Sequence, residues 1–146
     1  FEKFLKLEFK NCSKIIFKRH LKTSYDEKIF IGQKLNPNII KDKSGKNLKK
    51  LDISYTSPSK RAIETSRIFS KKHYVNSNLK EIDYGLAEGL NFNQLKNIYP
   101  EIIDAWRKKQ DIKFPKGENN KMVLIRVKKF KNFLIKKIRK KKIIKY

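Results

Sequence analysis

Cysteine is almost missing: Cys12 is the sole thiol in 146 residues. One thiol cannot close an internal disulfide, which excludes a disulfide-stapled secreted scaffold and fits a reducing compartment. A cytoplasmic location is therefore expected. No catalytic motif surrounds Cys12, so it does not read as a nucleophile. Long apolar runs are also missing. None approaches the roughly 20 residues that a membrane-spanning helix needs. The opening Phe1-Glu-Lys-Phe-Leu5 has neither the apolar core nor the small-residue cleavage site of a signal peptide. It also has no initial Met, so a fragment or a domain cut from a longer protein is expected.

Acidic residues are few, 14 against 38 Lys and Arg, for a formal charge of +24 and a pI near 10.1. Such a charge favours anionic partners: nucleic acid, an anionic membrane surface or an anionic small molecule. The lysines, however, are scattered through nearly every segment together with Ile and Asn, the pattern of an AT-rich coding bias rather than of one binding patch. Nucleic acid is not the expected partner on charge alone. Attraction of phosphorylated small substrates at low salt is.

What is present supports a folded domain. Hydrophobic residues are 38% and charged residues 36%, a balance that borders on disorder, but Ile, Leu and Phe fall in periodic clusters. A chain of this length fits one domain and buries roughly two-thirds of its unfolded surface. Phe1, Phe4, Leu5 and Phe9 suit one side of a short helix, so residues 1–13 read as an N-terminal extension or linker and 14–146 as the domain. Residues 14–18 read as a short buried strand and 52–56 as a second. The polar stretch between them, with Gly32, Pro37 and Gly45, reads as loop. Ser57 as N-cap and Pro58 at the first helical position predict a helix to about Lys71, with Ala62, Ile63, Ile68 and Phe69 toward the core. Residues 73–79 read as an edge strand. Gly85 and Gly89 mark a loop, and 92–98 and 100–109 read as helices broken at Pro100. Another loop follows at Phe114-Pro-Lys-Gly117. A long helix is predicted from Asn119 to Lys140, with Val123, Val127, Phe130, Leu134 and Ile138 as its stripe. Lys142 to Tyr146 reads as the start of a strand. Strand–helix alternation points to an α/β fold.

Three separated segments carry chemistry. Lys18-Arg-His-Leu-Lys-Thr23 follows the first strand, where active sites of open α/β sheets lie. It would put a cation and a nucleophilic imidazole at one phosphate. Ser57-Pro-Ser-Lys-Arg-Ala-Ile-Glu-Thr65 places Arg61 in the first turn of its helix, where amides and a guanidinium can share an anion. Leu79-Lys-Glu-Ile-Asp-Tyr-Gly-Leu-Ala-Glu-Gly89 offers carboxylates in a loop bounded by glycines. Taken singly, a His after a strand, one helical Arg or one exposed Glu is ordinarily structural. His73 has no supporting motif and reads as surface or edge strand. Lys136 to Lys142 reads as a solvated helix end.

In this order the three segments resemble the histidine phosphatase superfamily, the phosphoglycerate mutase-like proteins. They match strand-Arg-His-Gly-x-Thr, the Ser-Pro-x-x-Arg-Ala-x-x-Thr helix and the Leu-x-Glu-x-x-x-Gly-x-x-Glu-Gly loop. Pro115-Lys-Gly-Glu118 and Arg126-Val127 match two further motifs. The resemblance covers about Lys14 to Tyr146. It implies a three-layer αβα sandwich, left incomplete at the C-terminus. It implies a metal-independent phosphomonoesterase of the phosphatase-type branch, acting on a small phosphorylated metabolite, with no cofactor. His20 would attack phosphorus. Glu81 would be the general acid. Arg19 and Arg61, with Thr23 and Asp26, would contact phosphate. Glu88, Gly89 and Gly85 would be structural.

The sequence also departs from the family. Leu21 replaces the Gly after the nucleophile, Lys22 a common Glu, and Asp26 a frequent Asn. The segment from Asn38 to Leu51 is short. A second pocket His, which the family carries late in the chain, does not occur after His73. The expectation is that a longer parent chain carries it within a few residues beyond Tyr146. Two alternatives follow: a phosphatase-like domain that binds or regulates without catalysis, and mutase-type phosphotransfer. Specificity in this fold lies in loops, and neither substrate identity nor oligomeric state is read from the sequence.

Overall fold

The computed structural model describes residues 16–25, 28–40 and 50–143, with side chains described through Lys137. The expected N-terminal extension and Asp26 lie outside these residues. A strand–helix–strand unit organises the rest: β1 (Leu51–Thr56), α1 (Lys60–Phe69) and β2 (Ser70–Val75). The strands are parallel, paired from Leu51 with Ser70 to Thr56 with Val75. Parallel neighbours need a crossover, and α1 supplies it.

Side-chain alternation along β1 gives the layering. Successive residues point to opposite faces. The Ser54 hydroxyl meets the Ser66 hydroxyl of α1 at 2.6 Å and that of Ser70 at 2.7 Å. Its neighbour Tyr55 packs instead against Phe130 and Phe133, ring centroids 5.8 and 5.4 Å away. Those rings belong to α4 (Asn120–Ile143). One face of the sheet thus carries α1 and the other α4, a helix–sheet–helix sandwich around a small parallel sheet.

Helices α2 (Phe92–Ile98) and α3 (Pro100–Arg107) flank a second packing centre. Its buried members are Ala87, Leu95, Ile102, Ile103 and Phe114, with Phe30, Ile82 and Tyr84 packed against them. Local chemistry sets the ends of these elements. Asn91 and Gln94 form a reciprocal capping box at α2. Pro100 opens α3, where its missing N–H costs nothing. The Asp111 carboxylate accepts from the Asn120 and Lys121 amides at 2.8 and 2.9 Å, fixing the start of α4.

Several expectations are corrected. At its described residues, Ile16 to Lys18, the first strand does not form: none pairs in a sheet, and Ile16 and Phe17 are exposed. A strand exists only where a neighbouring backbone pairs with it. Helix α1 starts at Lys60 with Ser59 as N-cap, not at Ser57-Pro58, and ends at Phe69 because Ser70 already enters β2. Its most buried side chains are Arg61, Thr65 and Ser66, while Ala62, Ile63, Ile68 and Phe69 are half-buried. The edge strand occupies 70–75, and 77–79 is a 3-10 turn. Helix α4 continues through Lys142-Ile143, where a strand was expected. Lysine-rich sequence without Gly or Pro gives the helix no reason to stop. No helix among the described residues is long and apolar enough to cross a membrane.

Candidate active site

The Arg19-His20 segment is fastened to α1. The Leu21 amide donates to Thr65 Oγ1 at 3.0 Å, and the Thr65 hydroxyl in turn donates to the Arg61 carbonyl at 2.7 Å. Thr65 is one helical turn beyond Arg61, so one face of α1 holds both the guanidinium and the anchor of the histidine loop. His20 Nδ1 lies 2.7 Å from the Leu21 carbonyl. A carbonyl only accepts, so Nδ1 is the donor in this contact, and in the neutral imidazole the lone pair is then on Nε2.

Arg61 is 2% exposed. Its guanidinium donates to the carbonyls of Leu35, Ile31 and Gly32 at 3.3, 3.4 and 3.2 Å. Glu88 holds the same loop from the amide side, accepting through Oε1 from Gly32, Lys34 and Leu35. A buried cation and a carboxylate thus grip residues 31–35 by their carbonyls and amides. Three hydrogen bonds hold the guanidinium against loop carbonyls. Burial lowers the Arg61 pKa, and the charges of Glu81 and Glu88 oppose that shift while Arg19 adds to it. The guanidinium stays charged all the same.

Tyr84 reports the same neighbourhood. Burial raises its pKa, Glu81 and Glu88 push it further up, and Arg19 and Arg61 pull it down. Arg19, Arg61 and Glu81 therefore share one electrostatic environment, with Tyr84 and Glu88 inside it. Glu81 is exposed, and its Oε1 accepts from the Ile82 amide at 3.0 Å. Thr23 is half-buried in an isolated antiparallel bridge with Ile39. Asp26 is outside the described residues. His73 sits half-buried on β2, opposite Ser54.

The last two motifs hold the Glu81 segment. Arg126 donates to the carbonyls of Asn78, Lys80 and Glu81 and to both carboxylate oxygens of Glu118. Glu118 accepts from the Asp83 amide at 3.0 Å. Burial raises the Glu118 pKa, but the hydrogen bonds from Arg126 and Asp83 and the nearby positive charges outweigh it, and the net shift is downward.

A family model for the histidine phosphatase superfamily (branch 1) matches residues 42–144. The chain belongs to the histidine phosphatase superfamily. The match begins downstream of Arg19 and His20, so it carries the second to fifth motifs and not the first. Among relatives, the chain is 37% identical over 84 residues to a 2,3-bisphosphoglycerate-dependent phosphoglycerate mutase of Parvibaculum lavamentivorans. That alignment covers 52% of this chain and 40% of the mutase, so the chain matches less than half of that relative's length. Among solved structures, Bacillus stearothermophilus YhfR aligns with a TM-score of 0.66 at 22% identity, over 82% of this chain and 65% of that one. A mycobacterial glucosyl-3-phosphoglycerate phosphatase aligns with a TM-score of 0.62 at 22% identity, over 80% and 60%. These likenesses show the fold, that of the phosphoglycerate mutase-like proteins.

Within this histidine phosphatase fold, Thr65, which closes the second motif, and Gln33 and Tyr84, which stand outside the expected site residues, lie beside Arg61 or Glu81. Thr65 carried a signal, its four-residue spacing from Arg61. Gln33 carried none: it donates to the Glu81 carbonyl across 48 positions of chain.

Proposed function

We propose that the chain is a phosphomonoesterase that works through a phosphohistidine on a small phosphorylated metabolite. His20 Nε2 attacks phosphorus, a P–N bond forms and the P–O bond to the leaving group breaks. Glu81, protonated, gives its proton to the leaving oxygen. As carboxylate it then takes a proton from water, whose oxygen attacks phosphorus. The P–N bond breaks, and phosphate leaves with His20 restored. Arg19 and Arg61 offset the negative charge that builds on the phosphoryl oxygens.

The observation that carries this reading is the 2.7 Å contact of His20 Nδ1 with the Leu21 carbonyl, which favours Nε2 as the nucleophile. The shared environment of Arg19, Arg61 and Glu81 supports it. The test is hydrolysis of p-nitrophenyl phosphate in EDTA. His20→Ala is expected to lose more than about 10⁴-fold in turnover, beyond what an auxiliary acid–base group supplies. Unchanged turnover in that variant would remove His20 from the chemistry.

The mutase relative favours a second reading, phosphoryl transfer between hydroxyls of a phosphoglycerate. Incubating the chain with 3-phosphoglycerate and 2,3-bisphosphoglycerate separates the two. Formation of 2-phosphoglycerate supports the mutase, and release of inorganic phosphate supports the hydrolase.

A further inference from the structure

Resting on the reading of Glu81 as the acid, we infer that Arg126 and Glu118 are positioning residues for that acid, acting through its backbone. Helix α4 places Arg126 over residues 78–83. The guanidinium reaches three carbonyls there: Asn78 at 3.2 Å, Lys80 at 2.5 Å and Glu81 at 3.0 Å. The ion pair with Glu118 at 3.0 Å is largely sheltered, at 14% and 17% side-chain exposure. Glu118 Oε2 also takes the Asp83 amide and, at 3.3 Å, Gln33 Nε2, which itself donates to the Glu81 carbonyl at 2.9 Å. The backbone on both sides of Glu81 is thus tied to one sheltered charge pair.

Among the described residues, the Glu81 side chain has no comparable hydrogen-bond support. It is exposed, and the hydrogen bond it accepts comes from the adjacent Ile82 amide. Its position therefore depends on its backbone, and the backbone depends on Arg126 and Glu118. A lysine at 126 presents a point charge and cannot reach three carbonyls and a carboxylate at once. Displacing an acid by about an ångström costs on the order of 10²-fold in rate.

The experiment compares Arg126→Lys, Glu118→Gln and Glu81→Gln on two substrates. One is p-nitrophenyl phosphate, whose leaving group departs without a proton; the other is an alkyl phosphate, whose alkoxide needs one. Both positioning variants should slow phosphohistidine formation, read as pre-steady-state release of the alcohol, roughly 10- to 100-fold on the alkyl phosphate and under about threefold on the aryl phosphate, while the dephosphorylation that both substrates share slows equally for both. Amide exchange at 80–83 should accelerate while α2 and α3 keep their protection. Equal losses on both substrates in that first step, or unchanged exchange at 80–83, would overturn the positioning role. If Glu81→Gln shows no leaving-group dependence while exchange at 80–83 does accelerate in the other two, Glu81 is not the acid, and that premise fails rather than the backbone clamp.

Discussion

Gly85 has φ +56°, and a Cβ built there would lie 2.0 Å from the Pro115 carbonyl oxygen and 2.6 Å from the Gly117 nitrogen. Gly117 answers it: a Cβ at that position would lie 2.3 Å from the Asp83 carbonyl oxygen. The two glycines let the 83–86 and 114–118 backbones touch, and Leu86 N to Pro115 O and Glu118 N to Asp83 O close the contact at 2.9 and 2.8 Å. This seam brings Glu118 to the Glu81 segment. Gly85→Ala combines a left-handed backbone with a backbone clash, so it should cost about 2–5 kcal/mol. A urea titration would register this as a lower midpoint at constant slope, and a midpoint equal to wild type would show that the seam can open freely. The glycine-bounded loop was legible in the sequence. Its partner loop was not, since two backbones meeting across some thirty residues leave no periodic trace.

At the scale of elements, the ends of helices were easier to place where the cap is local. Asn91 and Gln94 lie three residues apart and satisfy each other's amides at 2.9 Å. Asn91→Ala should therefore cost about 1 kcal/mol, a typical value for a lost cap. The thermal midpoint checks it, and an unchanged value would mean that solvent replaces the box fully. Helix α1 was harder. Ser57-Pro58 looks like a start, but the chain uses residues 57–59 to turn from β1: the Ser57 hydroxyl instead accepts from the Ser59 amide at 3.3 Å, and the Asn36 side chain takes the Lys60 amide at 2.7 Å. A remote partner set the boundary. The polar interior of α1 has the same origin: Arg61, Thr65 and Ser66 are buried because loop carbonyls, the Leu21 amide and Ser54 meet them there.

At the scale of the whole molecule, charge dominates. A net +24 raises the local concentration of anions at low salt, and screening removes that advantage beyond about 10 Å at 0.1 M ionic strength. For a phosphorylated substrate, kcat/KM should fall several-fold between about 20 and 300 mM salt while kcat changes little. Stopped assays across a salt series would test this. A flat kcat/KM would mean that the scattered lysines create no net field at the pocket.

Composition, local spacing and motif order were enough to place the chain in an α/β class and to mark β1, α1, α2, α3 and α4, because those signals act over a few residues. Where a group must be satisfied by a distant segment, the sequence is silent. The coil at Ile16 to Lys18, the carbonyls around Arg61, the Glu88 grip on residues 32–35 and the Arg126–Glu118 hold on the Glu81 backbone were decided only when the chain closed on itself. Buried charges and backbone amides take whichever partner the fold brings within about 3 Å, and that choice belongs to the tertiary structure.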